Sequence, residues 1–569
     1  MFKLRWMMLK RMMLGALMAS FASGCGGDAT PSQSPELPNA ELHNSDAPDD
    51  PDDEVDATPP ALCIGLNADD NGSCAPTPTG PNACTSDDCA PLIVEMGCLD
   101  KDNSGYHDDV DESTLLVDSS WALYGGGDGT EDNPFGSIAE ALAVAVDGDT
   151  IALARNDASY RESIEVTDFT DLTLLGPGHC DGKASVIVHG ESADATIHLV
   201  NSPGAHVEGF EIRGNGIGVH IEGDANGTYI TGNKLFQNGG DGIRFTDWEG
   251  ADAEVSGNLI RSSLGAACGV RLQGGSGGVI RANEIRNIVG PGICAVDIDG
   301  LSIDGNSIHS NQSVGLALQS TTVDVTNNTI RENSQGGILI QAAGEGTTAI
   351  TGNRLEDNGD FGVLYDPAGT ASPSRDVEFA FNLIRSEANA PQSIGLIFPG
   401  ESAGFTVSNS EIEGMSGPGI LVKGENEGVP SITIPSETAQ SQIARNVIRN
   451  TGVAGVHISG VLGIVLSDNT IEGITSVDGT DVADGVIGIE SALRIQRGSL
   501  RDCVRFGAAF QKSKAALTSV ALSGNGDEVG CTDPACATVQ HAEGSPTPDV
   551  ELLPNEFQIP SGDGFIPTP

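Results

Sequence analysis

The chain has 569 residues, 80 acids against 28 bases for a formal net charge of −52, 38 % apolar residues and 4 % aromatics. A field of that sign excludes nucleic acid as a partner. The apolar fraction is enough for a core, but 75 glycines depart from the composition of an ordinary helical or α/β enzyme, and no interior apolar stretch reaches the length of a membrane span.

Residues 1–24 read as an export signal, with Lys3, Arg5, Lys10 and Arg11 as the basic region and residues 12–22 as the apolar one. The run Ala22-Ser23-Gly24-Cys25 resembles a bacterial lipobox. The resemblance implies cleavage before Cys25 and a lipid on its thiol. Gly26, standing where Asp would signal inner-membrane retention, points to the outer membrane or cell surface. Residues 25–60 are acidic and rich in Pro, Ser and Asn, and bury too little apolar surface to fold, so they form a tether. Contact with the membrane is therefore expected through the lipid anchor alone.

Residues 61–118 form a Cys-rich segment with Cys63, Cys74, Cys84, Cys89 and Cys98, a density that in an exported chain favours disulfides. The pairing stays open, with Cys84–Cys89 and Cys531–Cys536 as the local candidates. Asp100, Asp102, Ser104, Asp108 and Asp111 then place oxygens at alternate positions of a short loop, Gly105 permits the sharp turn, and Tyr106 offers its carbonyl. This run resembles the thrombospondin type 3 and EF-hand-like calcium repeats, and the resemblance implies calcium as a cofactor.

Residues 119–530 are repetitive. Apolar markers stand at Ile212, Leu235, Ile260, Ile285, Ile308, Ile330, Leu355, Ile384, Ile412, Ile448 and Ile471, with steps of 22 to 36 residues. An Asn precedes nine of these eleven by two positions, and a Gly-apolar pair follows each one. Each repeat holds about three short strands, since the Gly and Asn density forbids helices. The pattern resembles the right-handed parallel β-helix family, the pectate-lyase-like superfold, and implies an all-β solenoid. In it the Asn residues would form an internal ladder, and Gly would tolerate a backbone geometry that Cβ forbids. Residues 129–162 resemble the N-terminal entry of secreted bacterial β-helix proteins, with a capping helix over 137–146 and turn or cap roles for Asp149 and Glu162. Residues 531–569 form a Pro-rich tail.

Strand alternation sorts the outward side chains. The positions after the markers, Arg261 through Glu472, form a solvent-facing charge ladder, with signs alternating from Arg331 onward. On the Gly-apolar strands the outward row begins with polar residues and passes into Ala317, Leu339, Leu364, Ile397 and Leu421. That apolar stripe asks for a cover, either the C-terminal tail or a second copy of the chain.

The polar end is the candidate site. Polysaccharide lyases on this fold use an Arg or Lys as base, so the resemblance makes Arg244 or Arg271 the candidate catalytic residue. His220, Glu222, Asp241, Asp247 and Gln273 are the candidate ligand-binding residues. The family's calcium-binding Asp cluster is not recognisable here, nor is the polygalacturonase set. Catalysis, carbohydrate binding and plain surface remain three readings of this face. The expected function is a surface-anchored scaffold that binds extracellular or envelope polysaccharide without catalysis; the alternative is an exported lyase acting on uronate-containing polymers.

Overall fold

The computed structural model describes residues 98–525, 539–541 and 550–552, apart from 101–103, 124–125, 156–158, 179–186, 191–193, 262, 264–266, 320, 342–346, 367–376, 388–393, 400–403, 425–434, 436–440, 477–482 and 512. Cys25, Asp102, the signal and tether segments, and Cys63, Cys74, Cys84, Cys89, Cys180, Cys531 and Cys536 lie outside the described residues. Among the described residues the strands form three sheets of 17, 14 and 15 members. Every pairing in the polar region is parallel and joins one coil to the next, as Leu235 to Ile260 and Ile260 to Ile285. The chain is thus a parallel β-solenoid.

Its core is a set of stacked apolar rows. Ile285, Ile308, Ile330 and Leu355 are in register and fully buried. The row runs on beyond the eleven markers to Leu500 and Leu522. Stacking like on like at ~4.8 Å removes each β-branched side chain from water on both sides.

The Asn ladder is internal, as expected. Asn328 donates its amide N–H and its side-chain Nδ2 to Asn353 Oδ1, at 2.9 and 3.0 Å, and also donates Nδ2 to Ile303 O and Thr326 O. Its own Oδ1 accepts both donors of Asn306. Ser410 continues the ladder where Asn is missing: Asn382 N donates to Ser410 Oγ, and Ser410 N donates to Asn446 Oδ1. The residue before each rung takes a left-handed turn, including Ala282 (φ 51°) and Phe381 (φ 57°). The ladder's bonds offset the ~1–2 kcal/mol that a side chain costs there. A second ladder three residues after the marker was not anticipated, in which Asn311 bonds to Asn333 and Asn333 to Asn358.

The glycines of the Gly-apolar pairs are needed for a different reason from the one expected. Gly292 and Gly315 do not lie in the left-handed region. What forbids a side chain is space: a Cβ on Gly315 would sit 2.5 Å from Ile330 Cγ2 and 2.9 Å from Gly337 O.

At the N-terminal end the helix is shorter than expected, spanning Ile138–Leu142. Ser137 Oγ accepts from Glu140 N, and Glu162 accepts from Ile138 N and Ala139 N at 3.1 and 3.0 Å. Both side chains thereby satisfy amides that the first turn leaves open. Asp149 accepts from Val146 N, a turn role. At the other end Val539–His541 and Val550–Leu552 extend the stack in register with the last coil. Ala317, Leu339 and Ile397 are buried within the single chain. No helix among the described residues is long and apolar enough to cross a membrane.

Candidate functional site

The site lies on three adjacent strands of the 15-stranded sheet, Ile217–Asp224, Ile243–Glu249 and Val270–Gln273. Inward Val219, Phe245 and Leu272 are anchored in the core. Alternation therefore turns their neighbours outward. Register then aligns His220, Arg244 and Arg271 in one row and Glu222, Thr246 and Gln273 in the next. Five of the seven expected site residues and Thr246 thus belong to one face. Asp247 (φ 47°) is at its edge, on the bulge where register shifts between Thr246 and Trp248.

Asp241, in the corner before the second strand, is fully buried and organises the row. Its Oδ2 accepts from Arg244 Nε at 2.6 Å and Arg271 Nε at 2.8 Å, while Oδ1 accepts from Cys268 N at 2.7 Å. Two guanidinium groups are thus pinned by one carboxylate. The same device recurs far along the stack, where buried Asp484 accepts from Arg505 Nε and Phe506 N. An Asp immediately before the corner Gly is therefore a structural device of this solenoid, and at Asp241 it also sets the position of two outward cations. Burial raises the Asp484 carboxyl above its ordinary value, against the opposing pull of Arg505.

The bulge turns Trp248 inward, where it is buried edge-on against Phe245 at 5.1 Å. It offers no aromatic platform on this face. Cys294, which follows Arg271 in the row, is disulfide-bonded to Cys268. Cys98 is also disulfide-bonded, and Cys503 is a buried free thiol whose pKa burial pushes up to about 12.

One residue of the site escapes the sequence reading. His198 lies in register with His220 one coil earlier, and the two rings stack with centroids 4.7 Å apart and planes within 3°. The marker repeat begins only at Ile212, but the alternation Ile197-His198-Leu199 matches Val219-His220-Ile221 and would have revealed it. His198 Nε2 is 3.4 Å from Glu222 Oε2. His220 Nε2 lies 3.2 Å from Thr246 Oγ1. Burial, then the neighbouring His198 and Arg244, hold the His220 pKa down to about 4, so the ring is neutral near pH 7.

In the expected calcium loop, buried Asp100 accepts from Gly105 N at 3.1 Å and pairs with Arg155 at 3.3 Å. Ser104 Oγ donates to Tyr106 O at 3.5 Å. Asp111 accepts from Ser113 N and Oγ and from Thr114 Oγ1, bonds that lower its carboxyl pKa. Asp108 is exposed.

Residues 218–384 match the family model described as right handed beta helix region. With the three parallel sheets, this defines the chain's class as a right-handed parallel β-helix. No curated protein matches the chain. Among solved structures it is similar to the catalytic unit of a GH87 α-1,3-glucanase from Streptomyces thermodiastaticus, at 14 % identity over 68 % of this chain and 70 % of that one, with a TM-score of 0.39. It is also similar to a rhamnogalacturonan lyase, at 13 % identity over 49 % and 84 %, TM-score 0.31. A third is a mannuronan C-5 epimerase A-module from Azotobacter vinelandii, at 13 % identity over 71 % and 88 %, TM-score 0.28.

Proposed function

We propose that the chain is a polysaccharide-binding β-helix that holds its ligand along the polar face without cleaving it. The observation that carries this reading is the shared carboxylate: Arg244 and Arg271 both donate to Asp241 Oδ2. A proton-abstracting base must be free to lose its own proton, whereas a guanidinium ordinarily stays protonated, and here both have their Nε–H committed to one buried carboxylate. The pair remains suited to hydrogen-bonding a sugar hydroxyl or carboxylate through the N–H groups not used on Asp241. His220, Glu222, Thr246 and Gln273 supply donors and acceptors in the adjoining rows at the coil spacing, an arrangement suited to a repeating polymer.

The lipobox-like run at Cys25 and the acidic tether support an exported protein lipid-anchored to the outer membrane or cell surface. Calcium, held by Asp100, Asp102, Ser104, Tyr106, Asp108 and Asp111, is the cofactor proposed for the loop before the first coil. The described geometry contributes one element to that proposal, the folding of Asp100 onto Gly105.

The test is incubation with a panel of acidic and neutral polysaccharides plus calcium, reading bound protein, chain length and unsaturated-product absorbance together. Retention on one polymer with chain length unchanged is the expected result. Depolymerisation abolished by Arg244→Ala or Arg271→Ala would make the protein a lyase instead.

A further inference from the structure

The polar face ends in a group of side chains, His220 and Glu222 of its outward rows together with His198 of the coil before them, whose donor set points beyond sugar binding. His198, His220 and Glu222 come from two consecutive coils, and their ligand atoms all lie within 4.8 Å of one another. They are the one such group of His, Cys or carboxylate ligands among the described residues. His198 Nε2 is buried with no hydrogen-bonding partner, although it lies 3.4 Å from Glu222 Oε2. The contact with Glu222 is at ion-pair distance, and neither it nor the ring stacking gives this nitrogen a hydrogen bond.

We propose that His198, His220 and Glu222 form a binding site for a divalent transition-metal ion. Two imidazoles and a carboxylate are a donor set suited to zinc and its neighbours and poor for calcium, which takes oxygen ligands. Three protein ligands leave a fourth position for water or an oxygen of a bound molecule. Metal–ligand bonds of ~2.0–2.1 Å in a tetrahedron place donor atoms about 3.4 Å apart. The present separations, within 4.8 Å, extend beyond that value, so binding requires the side chains to turn toward one another. Both histidines sit on backbone fixed by core residues at either side, Ile197 and Leu199 for one and Val219 and Ile221 for the other. Glu222 supplies negative charge. Asp241 offsets the Arg244 guanidinium, the nearest opposing cation, through their ion pair. His220 is in the neutral form that ligates a metal.

The site is made by this chain's own side chains and does not rest on the polysaccharide reading; zinc binding without polymer binding, or the reverse, separates the two. The experiment is calorimetric titration of the chelator-treated full chain with Zn²⁺, with Ca²⁺ as the comparison cation. Because cysteines and the acidic segments also take up zinc, the measurement is the difference between the wild type and two variants. The His198→Gln/His220→Gln double variant is expected to lose one zinc equivalent, and Glu222→Gln to weaken that equivalent at least ~10-fold, while calcium uptake is unchanged. A Co²⁺ visible absorption band present in the wild type and absent from the double variant identifies the nitrogen ligands. Glu222 is exposed, so Glu222→Gln keeps the fold, as its melting curve will check. Equal zinc stoichiometry and affinity in all three proteins, or no zinc uptake by the wild type, overturns the proposal.

Discussion

The backbone amide of Cys268 donates to Asp241 Oδ1 at 2.7 Å. That one bond ties the carboxylate beneath the polar face to the Cys268–Cys294 disulfide, whose second half-cystine stands next to Arg271 in the outward row. The side-chain geometry of the face is thereby set from beneath, by a buried anion held between a cross-link and two cations.

Replacing Asp241 by Asn therefore has two effects. Removing one partner of a buried ion pair costs about 3–5 kcal/mol, and the released Arg244 and Arg271 lose their common direction. Asp484→Asn breaks the equivalent contact with Arg505 but lies outside the face. Both variants are expected to lower the denaturation midpoint, and only Asp241→Asn to weaken polysaccharide retention. Equal retention by the two would separate the face from binding.

The Asn ladder allows a paired test. Asn328→Ala removes both acceptor contacts to Asn306 and leaves Ile303 O without its side-chain donor. Burying these groups unpaired is expected to cost about 2–4 kcal/mol in urea unfolding. Ser410→Asn restores the amide at the rung where the ladder narrows, and is expected to be neutral or to stabilise by up to about 1 kcal/mol.

Two glycines separate space from backbone conformation. Gly305 has φ 63° with nothing within 4 Å of a Cβ built on it, and Asn tolerates that conformation, so Gly305→Asn is expected to cost less than about 1 kcal/mol. Gly315→Ala drives a methyl against Ile330 and the Gly337 carbonyl, and overpacking of this kind costs about 1–3 kcal/mol. Thermal melting of the two variants ranks them; the reverse order would contradict the steric account.

Burial, then the charge of Lys423, hold the His457 pKa down to about 4. The unfolded chain takes up the proton near the ordinary value of about 6.5, whereas the folded chain resists until about 4. Folding stability is therefore complete above about pH 6.5, declines as pH falls to about 4, and changes no further from this group below that. His457 stands between Leu421 and Ile487 in its row. His457→Leu is expected to remove its share of the acid loss, on the order of 3 kcal/mol at pH 4. Melting temperatures of both proteins from pH 7.5 to 4 measure it: the advantage of the variant should grow as pH falls.

The repeat was legible because stacked coils demand the same chemistry at the same place: Ile or Leu inside, Asn at the corner, Gly where coils touch. Substitutions that preserve the chemistry were harder to see. Ser410 keeps the ladder with a hydroxyl, and the Asn311–Asn333–Asn358 ladder covers too few coils to stand out as a period. Strict alternation from Thr246 would turn Trp248 outward, and only the bulge between them brings it inward. Arg244, Arg271 and Asp241 were each singled out, but no spacing rule shows that both cations end on one oxygen of the same carboxylate. His198 was lost because its coil precedes the first recognisable marker.

On the 14-stranded sheet, Arg331, Glu356, Arg385, Glu413, Arg449, Glu472 and Arg501 stand on successive coils, in register and alternating in sign. Individually such exposed pairs contribute little, but the alternation has a parity. Duplicating or deleting one coil here sets two like charges side by side, whereas a change by two coils keeps every neighbour opposite. This part of the gene can therefore lengthen or shorten most readily in double units, and a natural variant with an altered coil number should carry either an even change or a compensating reversal of charge at the junction.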